Sequence, residues 1–73
     1  MGSAYTIQTG AFRNEDYART MLDRLLSQNY PAFIAEGNGY YRVQVGNFDT
    51  LEEAHMMERR LSQSGYPTAI IAG

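Results

Sequence analysis

Few residues of this chain are suited to covalent chemistry. It has no cysteine and one histidine, His55, which falls on the flank of a predicted helix. His55 therefore has no second histidine or thiol with which to bind a metal ion, and no thiol that it could activate as a nucleophile. The acidic residues Glu52, Glu53 and Glu58 also fall on that helix, where we expect them to be solvated. We predict no catalytic residues, no metal site and no cofactor.

Binding chemistry is better represented. Amide side chains both donate and accept hydrogen bonds, aromatic rings cover apolar surfaces, and a guanidinium forms charge-assisted hydrogen bonds with anions. Residues of these kinds, with one hydroxyl, fall on predicted strands and form the candidate site: Gln8, Tyr40, Arg42, Gln44, Phe33 and Thr6. Whether they share a surface depends on the elements that carry them.

The chain repeats itself after 36 residues. Tyr5 to Phe12 (YTIQTGAF) returns as Tyr41 to Phe48 (YRVQVGNF), and the Tyr-Pro pair at 30–31 returns at 66–67. Two units are too few for a solenoid, which needs at least three. We therefore predict one pseudo-symmetric domain over residues 4–73, built from repeats 5–37 and 41–73. Residues 1–3 are expected to be start and cloning residues outside it.

The composition of the chain argues against nucleic acid and membrane as binding partners. The net charge is −2, the pI is about 5.1, and all six basic residues are arginines scattered over the chain. A continuous basic surface for nucleic acid is not expected. No apolar run approaches the roughly 20 residues that a membrane helix needs, so we expect no membrane insertion by this segment.

Each repeat predicts a strand, a helix and a shorter strand. Alternating strands cover 5–12 and 41–48, and helices capped by Asn14 and Thr50 cover 15–28 and 51–64. The shorter strands cover 32–36 and 68–72, and residues 36–39 form a hairpin. The apolar helix faces comprise Ala18, Met21, Leu22 and Leu25, and Leu51, Ala54, Met57 and Leu61.

The order β-α-β-β-α-β predicts an α+β fold, the ferredoxin-like (RNP-like) sandwich. It has a four-stranded antiparallel sheet, strands 1 and 3 in the centre, and both helices on one face. Strand parity then assigns the open face. Its expected residues are the six candidates together with Gly10, Gly46, Ala35, Ala69 and Ile71. Tyr5, Phe12, Tyr41 and Phe48 are expected to be packing residues.

At these positions the chain resembles the SPOR domain (sporulation-related repeat). The family pattern Tyr-x-Val-Gln-x-Gly-x-Phe matches at Tyr5, Gln8, Gly10 and Phe12. The pattern Tyr-Arg-Val-x-x-Gly-x-Phe matches at 41–48, and Leu61 and Gly65 also fall in register. The likeness extends over residues 4–73. Asn29 stands where the family has Gly, and Asn tolerates the same backbone conformation.

The resemblance implies a non-catalytic module that binds glycan strands of peptidoglycan, with a preference for strands from which amidases have removed the stem peptides. It implies a location outside the cytoplasmic membrane, in the cell envelope at septal wall, as a targeting part of a larger division or wall protein. The open sheet face is the family's binding surface, with Gln8 and Tyr40 as its typical members. We expect the module to be monomeric.

Two alternatives remain at this point. A ferredoxin-like interaction or effector-sensing module would dimerise through its open sheet. An RNA-recognition domain has the same fold, but this chain lacks the spaced aromatic residues and basic surroundings that base stacking requires.

Overall fold

The computed structural model of the protein describes residues 4–73 and contains the predicted elements in the predicted order. The strands are β1 (Tyr5–Phe12), β2 (Ala32–Gly37), β3 (Tyr40–Phe48) and β4 (Ala69–Ala72), and the helices are α1 (Glu15–Ser27) and α2 (Leu51–Gln63). Both helices end one residue earlier than expected, and β4 begins one residue later. The expectation for residues 1–3 lies outside the described residues.

The four strands form one antiparallel sheet in the order β2-β3-β1-β4. The predicted ferredoxin-like sandwich, with β1 and β3 in the centre, is confirmed. Asn38 and Gly39 connect β2 to β3 with φ of 54° and 79°. Positive φ at both central residues is the geometry of a type I′ hairpin turn. Neither helix of residues 4–73 has the length and apolar content to cross a membrane.

One core lies between the two helices and one face of the sheet. Its fully buried aliphatic side chains come from β1, β3 and both helices: Ile7, Val43, Val45, Leu25 and Leu61. Ile34, Ile70, Phe12, Tyr41 and Phe48 are partly buried against them. The alternation of buried and half-buried positions along β1 and β3 leaves the opposite sheet face without a covering layer.

Both helices begin with the capping groups that the sequence predicts, and a residue with positive φ follows each helix. The side chain of Asn14 accepts from the backbone N–H of Asp16 at 2.8 Å, and Thr50 Oγ1 accepts from the N–H of Glu53 at 3.2 Å. Asn29 and Gly65 follow the helices with φ of 68° and 91°. The N–H groups after them bond back to carbonyls five positions earlier, as in a Schellman motif.

Two buried tyrosines connect the repeats reciprocally. Tyr30 follows α1, and its hydroxyl bonds to Ser64 Oγ at 2.8 Å and to the Arg60 carbonyl at 3.2 Å, both on the end of α2. Tyr66 follows α2 and donates to Gln28 Oε1, at the end of α1, at 2.6 Å. The two rings meet edge to face at 6.3 Å. Each repeat therefore caps the other repeat's helix end.

The pairing of β1 with β3 is interrupted by two irregularities. One lies between Gln8 and Gly10, where β1 has the extra residue, and the other lies opposite the segment from Tyr5 to Ile7, where β3 has it. An extra residue changes which face the following side chains point to. The simple alternation used for the sequence prediction therefore fails at these two places.

The expectation that Gly10 and Gly46 belong to the open face is wrong. A Cβ at Gly10 would lie 2.7 Å from the Phe12 ring and 3.1 Å from Met21 Sδ, on the helix side. At Gly46, where φ is 73°, a Cβ would overlap the ring of Phe48. The bulges turn both glycines toward the helices, where a phenylalanine two residues later covers each of them.

The expectation that Leu51 belongs to the apolar face of α2 is also wrong. It is 45% exposed, like its repeat equivalent Glu15, which is also exposed. The first turn of each helix lies outside the core, and the buried stripe begins three residues later, at Ala18 and Ala54.

The leucines of the two helices should carry much of the stability. We expect Leu61→Ala to reduce the free energy of unfolding by about 2–5 kcal/mol, because it removes a fully buried side chain and leaves a cavity. Met56→Ala, on the same helix but 66% exposed, is the matched control and should change it by less than about 0.5 kcal/mol. Urea unfolding measures both. Equal effects of the two substitutions would contradict this description of the core.

Candidate functional site

The open face of the sheet has a central row of side chains that crosses all four strands. Phe33 pairs with Gln44, Gln44 with Gln8, and Gln8 with Ala69. Phe33 and both glutamines are half-buried, so their polar or aromatic groups remain accessible. The row places two amides beside one aromatic ring on the floor formed by this face.

Neighbouring rows extend this floor in both directions along the strands. On one side Arg42 lies between Ala35 and Ala11, and on the other side Thr6 pairs with Ile71, which is 37% exposed. Alanines leave space beside Arg42 and Gln8. The predicted placement of Gln8, Gln44, Arg42 and Phe33 on one face is therefore confirmed.

The pseudo-twofold axis of the fold passes between the two glutamines. Gln8 and Gln44 are equivalent in the two repeats, and they are also direct partners across β1 and β3. The centre of the floor is thus formed by the same side chain twice, related by an approximate twofold rotation. A ligand that bridges both amides would span this axis.

Tyr40 forms the end of the floor at the β2–β3 hairpin, and two arginines converge on it. The guanidinium carbon of Arg42 lies 5.6 Å from the centre of the Tyr40 ring, and that of Arg13 lies 5.2 Å from it. Arg13 also donates to the Tyr40 hydroxyl from Nε and Nη2, at 3.4 and 3.3 Å. Arg42 Nη1 donates to the Gly37 carbonyl at 3.1 Å.

Arg13 is the neighbour that strand parity did not assign to this face. Parity assigns strand residues, and Arg13 belongs to the loop after β1. A usable signal was present, because Phe12 pairs with Tyr41 in antiparallel strands. The residue after Phe12 must then lie beside the residue before Tyr41, which is Tyr40.

Thr6 occupies the predicted face, but its hydroxyl is engaged within the protein. Thr6 Oγ1 donates to the Gly46 carbonyl at 2.7 Å and lies 3.2 Å from the Val45 carbonyl. These carbonyls flank the irregularity in β3. Thr6 therefore stabilises the bulge, and the proton of its hydroxyl is already used within the protein.

The remaining polar groups do not form a second chemical centre. His55 Nδ1 lies 3.1 Å from Glu58 Oε1, and Thr68 donates to the other oxygen of Glu58, so these groups connect α2 to the start of β4. Among residues 4–73, no three His, Cys, Asp or Glu side chains converge as a metal-binding group. Surface concavities lie beside the helices, for example one lined by Phe12 and Met21 and another lined by Phe48 and Met57.

An antiparallel four-stranded sheet with two helices on one face and an accessible polar and aromatic floor on the other defines a ferredoxin-like domain. The model of the SPOR domain family matches residues 2–72, and the chain belongs to this family.

The chain is similar to known proteins in sequence and in structure. It is 33% identical over 69 residues to endolytic peptidoglycan transglycosylase RlpA of Helicobacter pylori, covering 92% of this chain and 22% of that protein. This chain therefore spans about a fifth of the curated relative it matches.

Two solved domains have the same fold. The peptidoglycan-binding domain of the Bacillus subtilis lytic enzyme CwlC superposes with a TM-score of 0.88 at 22% identity, covering 100% of this chain and 92% of that one. The RlpA SPOR domain of Pseudomonas aeruginosa superposes with a TM-score of 0.74, also at 22% identity, covering 92% and 96%.

The structural role of Thr6 can be tested by removing its hydroxyl. Thr6→Val keeps the shape but removes the hydroxyl that donates to the Gly46 carbonyl, so we expect it to lower the free energy of unfolding by about 0.5–1.5 kcal/mol. Thermal or urea unfolding of the two proteins measures the difference. Unchanged stability would show that the hydroxyl does not hold the bulge.

Proposed function

We propose that this chain is a non-catalytic module that binds peptidoglycan, and that it holds glycan strands on the open face of its sheet. The observation that carries the proposal is the row of Phe33, Gln44 and Gln8 with Tyr40 and Arg42 beside it, on the one sheet face that no helix covers. Two findings support the ligand class. The chain belongs to the SPOR domain family, and its fold matches a solved domain that is named a peptidoglycan-binding domain.

The floor suits the chemistry of a glycan strand. Such a strand is long, extended and rich in hydroxyl and N-acetyl groups, and each sugar also has an apolar C–H face. Gln8 and Gln44 supply donors and acceptors for the polar groups, and Phe33 and Tyr40 supply rings for the C–H faces. A sheet face without a covering element accommodates a polymer that continues on both sides.

The charge of the floor favours strands without stem peptides. When an amidase removes a stem peptide, the lactyl carboxylate of the muramyl sugar becomes free. A charge-assisted hydrogen bond from Arg42 to this carboxylate would contribute about 1.5–3 kcal/mol if it is well formed. We therefore propose that the module distinguishes stripped from intact wall.

Binding of this kind would target a larger protein. The curated relative is a peptidoglycan transglycosylase, and this chain matches only 22% of its length. We propose that the module acts as a monomer outside the cytoplasmic membrane, where it brings an attached wall or division protein to septal wall. It needs no nucleic acid and no cofactor for this role.

The contribution of the open sheet face to binding is tested by sacculus pull-down. We expect Gln8→Ala and Tyr40→Ala to weaken binding to amidase-treated sacculi about fivefold or more, because each loses a contact worth about 1 kcal/mol or more. Neither side chain belongs to the core, so the unfolding midpoint should stay unchanged. Gln63→Ala, an exposed amide at the end of α2, is the matched control.

If Gln8→Ala and Tyr40→Ala bind like the parent and remain folded, the open face is not the glycan site. Light scattering over a concentration series completes the test. A stable dimer formed through this face would leave no floor for a polymer and would favour an interaction module.

The preference for stripped wall has its own variant. Arg42→Ala should weaken binding to amidase-treated sacculi more than binding to untreated sacculi, because only the treated strands offer the free lactyl carboxylate. Added salt should reduce the same preference in the parent. Arg59→Ala removes an equal charge from the exposed surface of α2 and should leave the ratio unchanged. An equal loss on both wall preparations would remove Arg42 from carboxylate recognition.

A further inference from the structure

The end of the floor at Tyr40 contains more positive charge than the sequence pattern indicates. Arg13 comes from the loop after β1 and Arg42 from β3, yet both guanidinium groups lie over the same ring, at 5.2 and 5.6 Å from its centre. Both groups therefore place their positive charge at the same end of the floor, where an anion would be attracted.

Both arginines retain free donors. Within residues 4–73 neither of them is part of a salt bridge, since the ion pairs are Arg19 with Glu15 and His55 with Glu58. Arg42 uses Nη1 for the Gly37 carbonyl, and Arg13 makes two long bonds to the Tyr40 hydroxyl. A guanidinium has five N–H donors, so several on each side chain remain available to a ligand.

The pseudo-symmetry of the fold provides an internal comparison. Rotation about the axis between Gln8 and Gln44 relates Tyr40 to Ala4, Arg42 to Thr6 and Arg13 to Asp49. The ring is replaced by a methyl group, one guanidinium by an internally bonded hydroxyl, and the other by a carboxylate. The two arginines are therefore not a requirement of the fold, which forms its other end without them.

We propose that Arg13 and Arg42, both held against Tyr40, form a carboxylate-binding subsite at this end of the floor, with Arg13 as the second cation. The proposal rests on the glycan-binding function above and adds to it a second cation from outside the strands. Tyr40 positions Arg13 through its hydroxyl and its ring face, so that both cations lie at the same end of the floor.

Two sources supply a carboxylate in peptidoglycan. One is the lactyl group of the muramyl sugar in a stripped strand, and the other is the stem peptide of an intact strand. The subsite has the same chemistry in both cases, and the experiment distinguishes them by chemical blocking of the lactyl group and by competition with free stem peptide.

The test is a fluorescence-anisotropy titration of the whole chain with a labelled, amidase-stripped glycan oligosaccharide. A second preparation of the same oligosaccharide has its lactyl carboxylates converted to methylamides. We expect Arg13→Gln to weaken binding of the free-acid strand about tenfold, equivalent to about 1.4 kcal/mol. It should leave binding of the methylamide strand unchanged, and Arg13→Lys should retain part of the affinity. Arg59→Gln, with the same loss of charge on α2, should bind both strands like the parent.

Five outcomes decide between these possibilities. An equal loss on both strands with Arg13→Gln overturns the carboxylate subsite, and so does an equal loss with Arg59→Gln, which would indicate general electrostatic attraction. Competition by free stem peptide against the parent, but not against Arg13→Gln, would support the subsite and assign the carboxylate to the peptide. If the parent binds neither strand, the proposed function itself fails, whereas unaltered binding by Arg13→Gln removes only the subsite.

Discussion

The antiparallel pairing of β1 with β3 is the constraint on which the rest of the structure depends. These strands are repeat equivalents, so their pairing places the pseudo-twofold axis between Gln8 and Gln44 in the middle of the sheet. It also brings Ile7, Val43 and Val45 together under the helices, where they form the buried centre of the core. The helices then follow as the layer that covers this face, and the reciprocal contacts of Tyr30 and Tyr66 fix each helix end to the other repeat.

The same pairing produces the surface that we assign to binding. Side chains alternate across a strand, so burying one set exposes the next, and here the exposed set consists of amides, rings and an arginine. A domain with two helices and four strands has enough cover for only one sheet face. The symmetric centre offers two identical amides, while the asymmetric end at Tyr40 adds charge. The floor is therefore alike in its centre and different at its two ends.

Much of this was predictable from the sequence, and the failures have local physical causes. The 36-residue repeat, the caps at Asn14 and Thr50 and the strand alternation predicted the fold and the placement of Gln8, Gln44 and Arg42. Parity failed at Gly10 and Gly46 because a bulge adds a residue to one strand only, and nothing in the alternation marks where it falls. Leu51 misled because it matches the helical period in a turn that lies beyond the core. Arg13 was not assigned because loop side chains follow no period.

The central claim is that the open sheet face, and not the helix side, contacts the glycan. Its most direct test is a nitrogen-15 NMR titration of the protein with an amidase-stripped oligosaccharide, read at backbone and side-chain amides. The account predicts that the largest shift changes occur at the side-chain amides of Gln8 and Gln44 and along Phe33, Tyr40 and Arg42, while the exposed faces of α1 and α2 remain unperturbed. Shift changes confined to the grooves beside the helices, at Met21 or Met57 and their neighbours, with an unperturbed sheet floor, would contradict it.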